Sequence, residues 1–453
     1  PITNSTPEEV VFSPEVLEDY LRKIYDGFDV SSEIEPTAWR EVLRIINMGA
    51  VQGLSDGNLI PTHQESFLHS LRHSNEVFSA FKVHSMSTKM AERLLGEDGK
   101  LRSFEEWRKA VAPIARHQVG SWLRTEYDTA VIRAHQAADW IEFEANKDIL
   151  PNLQWMPTTS PSPEVGHEGF WRKPVILPID DPFWSSHRPG DRWNCKCSLE
   201  ATDAEVQRLD TEESKEAQRP ERGAQRGLEG SPLTKGLITD KHPYYPESCA
   251  KCPFYTTKGI KGWARKHLSN RVKDCHDCPY IDLKLLQAKL SEQYPLDRWE
   301  HTFVSDSGGY VVTERSRVKE GKVNSTERDK FIKELETAKV MAKHGHAIAY
   351  LGESGRTRGE TYDILLDGIR CEIKCFSGKQ GGAIEDQLKY AFRDQGAETV
   401  VVRLEERGGR AYDKLTTCLK TQKLLKDKTI YFFWMDTPEE LEIFPSRQIV
   451  KIK

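Results

Sequence analysis

Apolar residues recur at three- and four-residue intervals from Ser13 to about Asn146, over the segments 16–28, 38–54, 65–95 and 104–146, which predicts a helical region. Ser103, followed three positions on by Glu106, has the form of a capping box opening the last of these helices. The pattern breaks between Leu150 and Glu200, where Pro151, Pro157, Pro161, Pro163, Pro174, Pro178, Pro182 and Pro189 exclude long helices and leave loops with short strands. Residues 203–236 are rich in Glu, Gln, Arg and Gly and poor in large apolar side chains, and read as a partly helical linker. A cysteine-bearing stretch and a connector run to about 325. Thereafter the order is helix, three strands, helix, strand, helix, strand. The chain reads as multidomain α+β, with limits at 1–202 (mainly helical), 203–236 (linker), 237–325 (small cysteine module and connector) and 326–453 (α/β with a mixed sheet).

Within the last segment a helix over 327–344 stops at Gly345, and strand-like runs follow at 346–351, 361–366 and 369–376. Asp367-Gly368 alone separates the last two, the strongest short hairpin signal. A two-residue loop pairs Leu366 with Ile369 and so sets Asp363 opposite Glu372. Opposed residues share a sheet face with Cβ atoms about 5 Å apart, and Lys374, two beyond Glu372, shares it too. The other face receives Tyr362, Ile364, Leu366, Ile369, Cys371, Ile373 and Cys375 and is expected to be buried. A solvated salt bridge would give the same letters. Leu365 and Phe376 argue against free exposure, and a carboxylate pair suits a hard divalent cation.

The chemistry expected of this face is phosphodiester hydrolysis. Asp363 and Glu372 would hold Mg²⁺ (or Mn²⁺), which acidifies a bound water and neutralises charge on phosphate, while Lys374 orients that water or stabilises the transition state. The set resembles the PD-(D/E)xK nuclease superfamily, with Tyr362 where the motif has proline and Glu372-Ile373-Lys374 as its ExK. Within it, the segment is similar to the C-terminal nuclease domains of contact-dependent growth-inhibition and related polymorphic toxins. Their opening acidic helix corresponds here to Glu334-Leu-Glu-Thr-Ala338, followed by Gly345-His346. The helical wheel favours Glu334 over Glu336 as the carboxylate facing the site. The resemblance offers Gln387, on a helix over 384–395, for substrate or lysine positioning, against an ordinary surface role. It covers 326–453 and leaves DNA and tRNA open as substrates.

A net charge of −5 provides no global attraction to nucleic acid, so contact must be local. No run of about 18 apolar residues predicts a membrane span, and the opening Pro-Ile-Thr-Asn lacks a secretory pattern. Nine cysteines without such a signal point to a reducing compartment and to metal rather than disulfides. Cys249-x-x-Cys252 and Cys275-x-x-Cys278 have the spacing of a closed structural Zn²⁺ site, the alternative being free thiols in a small helical module. His267 and His276 nearby read as surface histidines. Lys251, Lys258, Lys261, Arg265, Lys266, Arg271 and Lys273 around the pairs read as a solvated loop or a nucleic-acid contact.

In the first domain Trp122-Leu-Arg-Thr-Glu126-Tyr127 runs into an Ala-rich helix, followed by Asp181-Pro-Phe-Trp184 and Trp193-Asn-Cys195-Lys-Cys197. These motifs, in this order, resemble the phage Mu F-like minor head (head morphogenesis) proteins, with His167 as the matching loop histidine and Lys196 where arginine is usual. The resemblance covers about residues 1–202. It implies a component of the virion near the portal, with phage portal and capsid proteins as partners, delivered with the genome into bacterial cytoplasm. His167, Cys195 and Cys197, with His187 nearby, form a second candidate Zn²⁺ set; the alternative is a hydrogen-bonded histidine beside packed thiols. Trp184 and Trp193 read as core. Three functions fit: a minor head protein carrying a nuclease effector, a structural head protein whose C-terminal domain only binds, or a free polymorphic toxin with a cognate immunity protein.

Overall fold

The computed structural model describes residues 10–57, 65–158, 160, 165–217, 219, 222–255, 271–305, 307–320, 325–352, 362–376, 383–405, 409–421, 425, 428–444 and 448–451. The chain divides into two compact units, Pro1–Leu285 and Leu286–Lys453, and is mixed α+β. Among the described residues no helix is long and apolar enough to cross a membrane.

The first unit opens with α1 (Pro14–Tyr25), α2 (Pro36–Asp56), α3 (Glu65–Ala91), α4 (Phe104–Ala115) and α5 (Trp122–Asn146), close to the predicted spans. Both halves of the expected capping box form at Ser103 and Glu106. A six-residue π-helical turn, Arg116–Ser121, interrupts the predicted 104–146 helix and joins α4 to α5. Helices α2 and α5 approach closely because Gly49, Gly53 and Gly57 lie on the contact; a Cβ at Gly53 would sit 2.1 Å from the Val131 carbonyl oxygen. The alanines at 130, 134 and 138 complete that contact from α5.

Beyond α5, strands β1 (Asn152–Met156), β2 (Ile176–Pro178) and β3 (Ser198–Thr202) form an antiparallel sheet in the order β2-β1-β3. Trp155 stacks on Trp184 in a core that also holds Phe170, Cys195 and Cys197. Trp193 is only partly buried and meets His242 edge to face. The segment read as a linker is packed here: the buried Arg133 guanidinium of α5 donates to the carbonyls of Gly190, Leu228 and Gly230. Those bonds to Nη1 and Nη2 offset part of the cost of burying the cation.

The second unit is built on a nine-stranded mixed sheet whose strands lie in chain order. They are β4 (Trp299–Val304), β5 (Tyr310–Glu314), β6 (Ala347–Tyr350), β7 (Ile364–Leu366), β8 (Ile369–Phe376), β9 (Thr399–Leu404), β10 (Thr429–Trp434), β11 (Thr437–Phe444) and β12 (Gln448–Lys451). The pairs β5–β6, β8–β9 and β9–β10 are parallel and the rest antiparallel. The predicted strands from β6 to β10 are present. The hairpin β4–β5, from the stretch read as a connector, extends the sheet at one edge, and β11–β12 extend it at the other. Helix Ser325–Lys343 covers one face, placing Phe331, Ala338 and Met341 against Ile364, Cys371 and Ile373. Helices Ile384–Arg393 and Arg410–Thr421 cover the opposite face, over Phe376, Val400 and Val402. With both faces covered, β9 is buried along its whole length, and its Val-rich run is that of a central parallel strand.

Candidate functional site

The turn between β7 and β8 has Asp367 at φ 52° and Gly368 at φ 81°. Positive φ at both central residues defines the type I′ turn that matches strand twist. The resulting register pairs Leu366 with Ile369, Leu365 with Arg370 and Ile364 with Cys371, as the spacing predicts. Asp363 lies just before β7, one step from pairing with Glu372. Its backbone N–H donates to Glu372 Oε2 at 3.0 Å, and the Ile373 N–H donates to Asp363 Oδ2 at 3.2 Å. Thr361, the start of the predicted run, is outside the described residues.

Glu372 Oε1 accepts from Lys374 Nζ at 2.7 Å and from Gln395 Nε2 at 2.6 Å, while Lys374 Nζ also donates to Gln395 Oε1 at 2.8 Å. A closed triangle of carboxylate, ammonium and amide results. Gln395 was not anticipated. The helix ends at Arg393 and Gly396 follows at φ 74°, so Gln395 sits in a terminal turn that brings it back onto β8. Gln387, the residue offered for lysine positioning, is exposed on the helix. A glycine stop after an apolar helix was the available signal for this turn.

Glu334 is buried on helix Ser325–Lys343, whereas Glu336 is exposed and pairs with Arg403. Its carboxylate accepts from the Tyr350 hydroxyl and from Arg317 Nη2 at 3.2 Å, with Lys330 Nζ 3.6 Å away. Burial and then the negative charge of Asp363 push its pKa up. The same two causes, in the same order, raise Glu372 to about 7, against the pull of Lys374. Asp363 therefore acts on both glutamates, and the three acids share one electrostatic field. Such a field favours a proton or a cation.

The donor chemistry suits a hard divalent ion: buried carboxylates in mutual repulsion, flanked by a lysine. The three acids are not drawn into a tight ligand set, however. Among the described residues, one group of His, Cys, Asp or Glu has three ligand atoms all within 4.8 Å of one another, and it lies in the first unit: His167, Cys195 and Cys197.

His167 closes a short turn, Val165–His167, and Asn194 at φ 62° reverses the chain so that Cys195 and Cys197 return to the core before β3. Asparagine tolerates that left-handed backbone better than most residues. His167 Nδ1 lies 3.4 Å from Cys195 Sγ and 3.8 Å from Cys197 Sγ, and Nε2 is 2.7 Å from Asp191 Oδ1. All four residues are buried. Burial opposes charge on His167, but its bonds to Asp191 and Cys195 outweigh this and raise it to about 9. This group can hold a metal ion. His187 packs between Phe170 and Phe183, outside the close group.

Cys249, Cys252, Cys275 and Cys278 line one small cavity of about 20 Å³ with Tyr255 and Ile281. The topology thus brings the two CxxC pairs to one cavity, with the sulfurs more widely set than the ligand atoms of the His167 group. Burial pushes the Cys275 thiol up. His276, read as a surface histidine, has both ring nitrogens buried and without hydrogen-bond partners. Lys258, Lys261, Arg265, Lys266 and His267 lie outside the described residues. Comparison with protein-family models, curated proteins and solved structures gives no match for this chain.

Proposed function

We propose that the second unit is a metal-dependent phosphodiester hydrolase of PD-(D/E)xK type, borne on a minor head protein of phage Mu F-like kind. The observation that carries the reading is the Glu372–Lys374–Gln395 triangle beside Asp363, in which two buried carboxylates meet a half-buried ammonium and amide, polar groups that a purely structural strand would not need. Asp363 and Glu372 would hold Mg²⁺ or Mn²⁺, which supplies a water acidic enough to attack at neutral pH and charge neutralisation at phosphate. Lys374 directs its ammonium at the attacking water or the phosphoryl oxygens. Gln395 keeps that ammonium aimed, and Glu334 extends the acidic field. DNA and tRNA are both substrates this chemistry accepts.

The first unit's ordered motifs, from Glu126-Tyr127 to Cys195-x-Cys197, support a role near the portal of a phage head, with capsid or portal proteins as partners. Structural Zn²⁺ on the paired CxxC residues belongs to the same reading, and delivery into bacterial cytoplasm with a cognate immunity protein is its toxin form. One observation favours a non-catalytic binding domain instead: both Glu372 oxygens already accept hydrogen bonds within the protein. Incubating the full chain with supercoiled plasmid and with total tRNA, in Mg²⁺ and in chelator, separates the two. Cleavage only with metal supports the hydrolase. Retention of nucleic acid without cleavage, weakening steeply with salt, supports the binding domain.

A further inference from the structure

We infer that the first unit carries a Zn²⁺ site made by His167 Nδ1, Cys195 Sγ and Cys197 Sγ, with Asp191 as the carboxylate that orients the histidine. The geometry specifies the donor atoms. Nε2 is 2.7 Å from Asp191 Oδ1 and donates its hydrogen there, and Nδ1, which faces the two sulfurs, is the nitrogen that gives up its proton when a metal binds. A metal-ligating histidine has this arrangement, its second nitrogen held by a carboxylate. Two thiolates and an imidazole are soft to borderline donors, suited to Zn²⁺ and poorly suited to Mg²⁺ or Ca²⁺.

Burial adds a second argument. His167, Asp191, Cys195 and Cys197 are almost wholly enclosed, in a core of Trp155, Phe170 and Trp184 where an uncompensated charge is costly. A dication facing two thiolates and one histidine–aspartate pair gives each buried polar group a partner. The site also fastens separate pieces of chain. The Val165–His167 turn, the loop bearing Asp191 and the approach to β3 meet at these atoms, and Gln225 N–H donates to the Asp191 carbonyl from further along the chain. Three protein donors fill three positions of a tetrahedral ion, and the fourth comes from outside the triad.

The test is zinc content of the purified full chain by elemental analysis, in wild type and in Cys195→Ser/Cys197→Ser. The paired CxxC residues are unchanged, so they cancel in the comparison. The expected result is one fewer zinc per chain in the variant, with Co²⁺-loaded protein losing the thiolate charge-transfer intensity contributed by two sulfurs. Equal zinc in a variant of wild-type helicity overturns the inference. Should that variant not fold, Asp191→Asn decides, since asparagine keeps an acceptor facing Nε2. One zinc bound about 10- to 100-fold more weakly, by chelator competition, supports the site; unchanged affinity overturns it.

Discussion

Asp363 and Glu372 hold each other through the backbone: the Asp363 amide donates to Glu372, and the amide beside Glu372 donates to Asp363. Each acidic side chain is thus fixed by the register of the opposing strand, and that register is set by the Asp367-Gly368 turn.

Gly368 is therefore expected to matter at a distance from the chemistry. A β-branched residue at φ 81° is strained by about 1–2 kcal/mol. Gly368→Val should lower the melting temperature by roughly 2–8 °C and reduce cleavage as well. Calorimetry and a nuclease assay check this, and an unchanged melting curve would count against the turn as the source of register.

The two glutamines should behave differently. Gln395 bonds both Lys374 and Glu372, so Gln395→Ala removes one of the two contacts that hold the ammonium and should slow cleavage by about 10²-fold, the usual cost of a misplaced group. Gln387→Ala, on the exposed helix face, should leave the rate unchanged. Equal effects from the two substitutions would remove the positioning role.

Acidity gives a third expectation. Glu372 titrates near 7 in the folded protein against an ordinary 4.5, so between those values the folded state keeps a proton that the unfolded state releases. Stability in chelator should then fall as pH rises through that window. Cleavage should rise over the upper part of the same window, as the carboxylate becomes free to hold a cation. Melting curves at several pH values, for wild type and Glu372→Gln, read this directly. Parallel curves would show that Glu372 is not the group responsible.

In the first unit, Lys82 and Glu126 form a fully buried ion pair at 2.9 Å, with the Tyr244 hydroxyl bonded to Glu126. Burial pushes the lysine down and the glutamate up, while each supports the charge of the other. Lys82→Met alone should cost about 3–5 kcal/mol by stranding the carboxylate, and adding Glu126→Leu should recover most of it. Urea unfolding of the single and double variants measures the difference. A double variant no more stable than the single one would contradict the pairing.

Periodicity was enough to read the helical spans of α1 to α5 but not the π-helical break between α4 and α5, and the Asp-Gly turn was enough to align Asp363 with Glu372, because both depend on contacts close in sequence. Glu334 was legible for the same reason: one helical face carries it with Phe331 and Ala338. Gln395 was not, since its role depends on where a helix ends, and that is set by Gly396 and by packing over β8 rather than by the apolar pattern. The edge hairpin β4–β5 escaped notice because Trp299–Val304 is only partly apolar and pairs with neighbours supplied by the rest of the sheet. The packing of 228–230 depends on Arg133, almost a hundred residues earlier, and no local pattern announces it.

The central claim is that Asp363, Glu372 and Lys374 form a hydrolytic centre, and its most direct measurement is single-turnover cleavage by the full chain in Mg²⁺. Wild type is expected to cleave plasmid DNA or tRNA, and Glu372→Ala and Lys374→Ala to be slower by about 10²-fold or more, with wild-type folding. Cleavage by either variant at the wild-type rate would contradict the account.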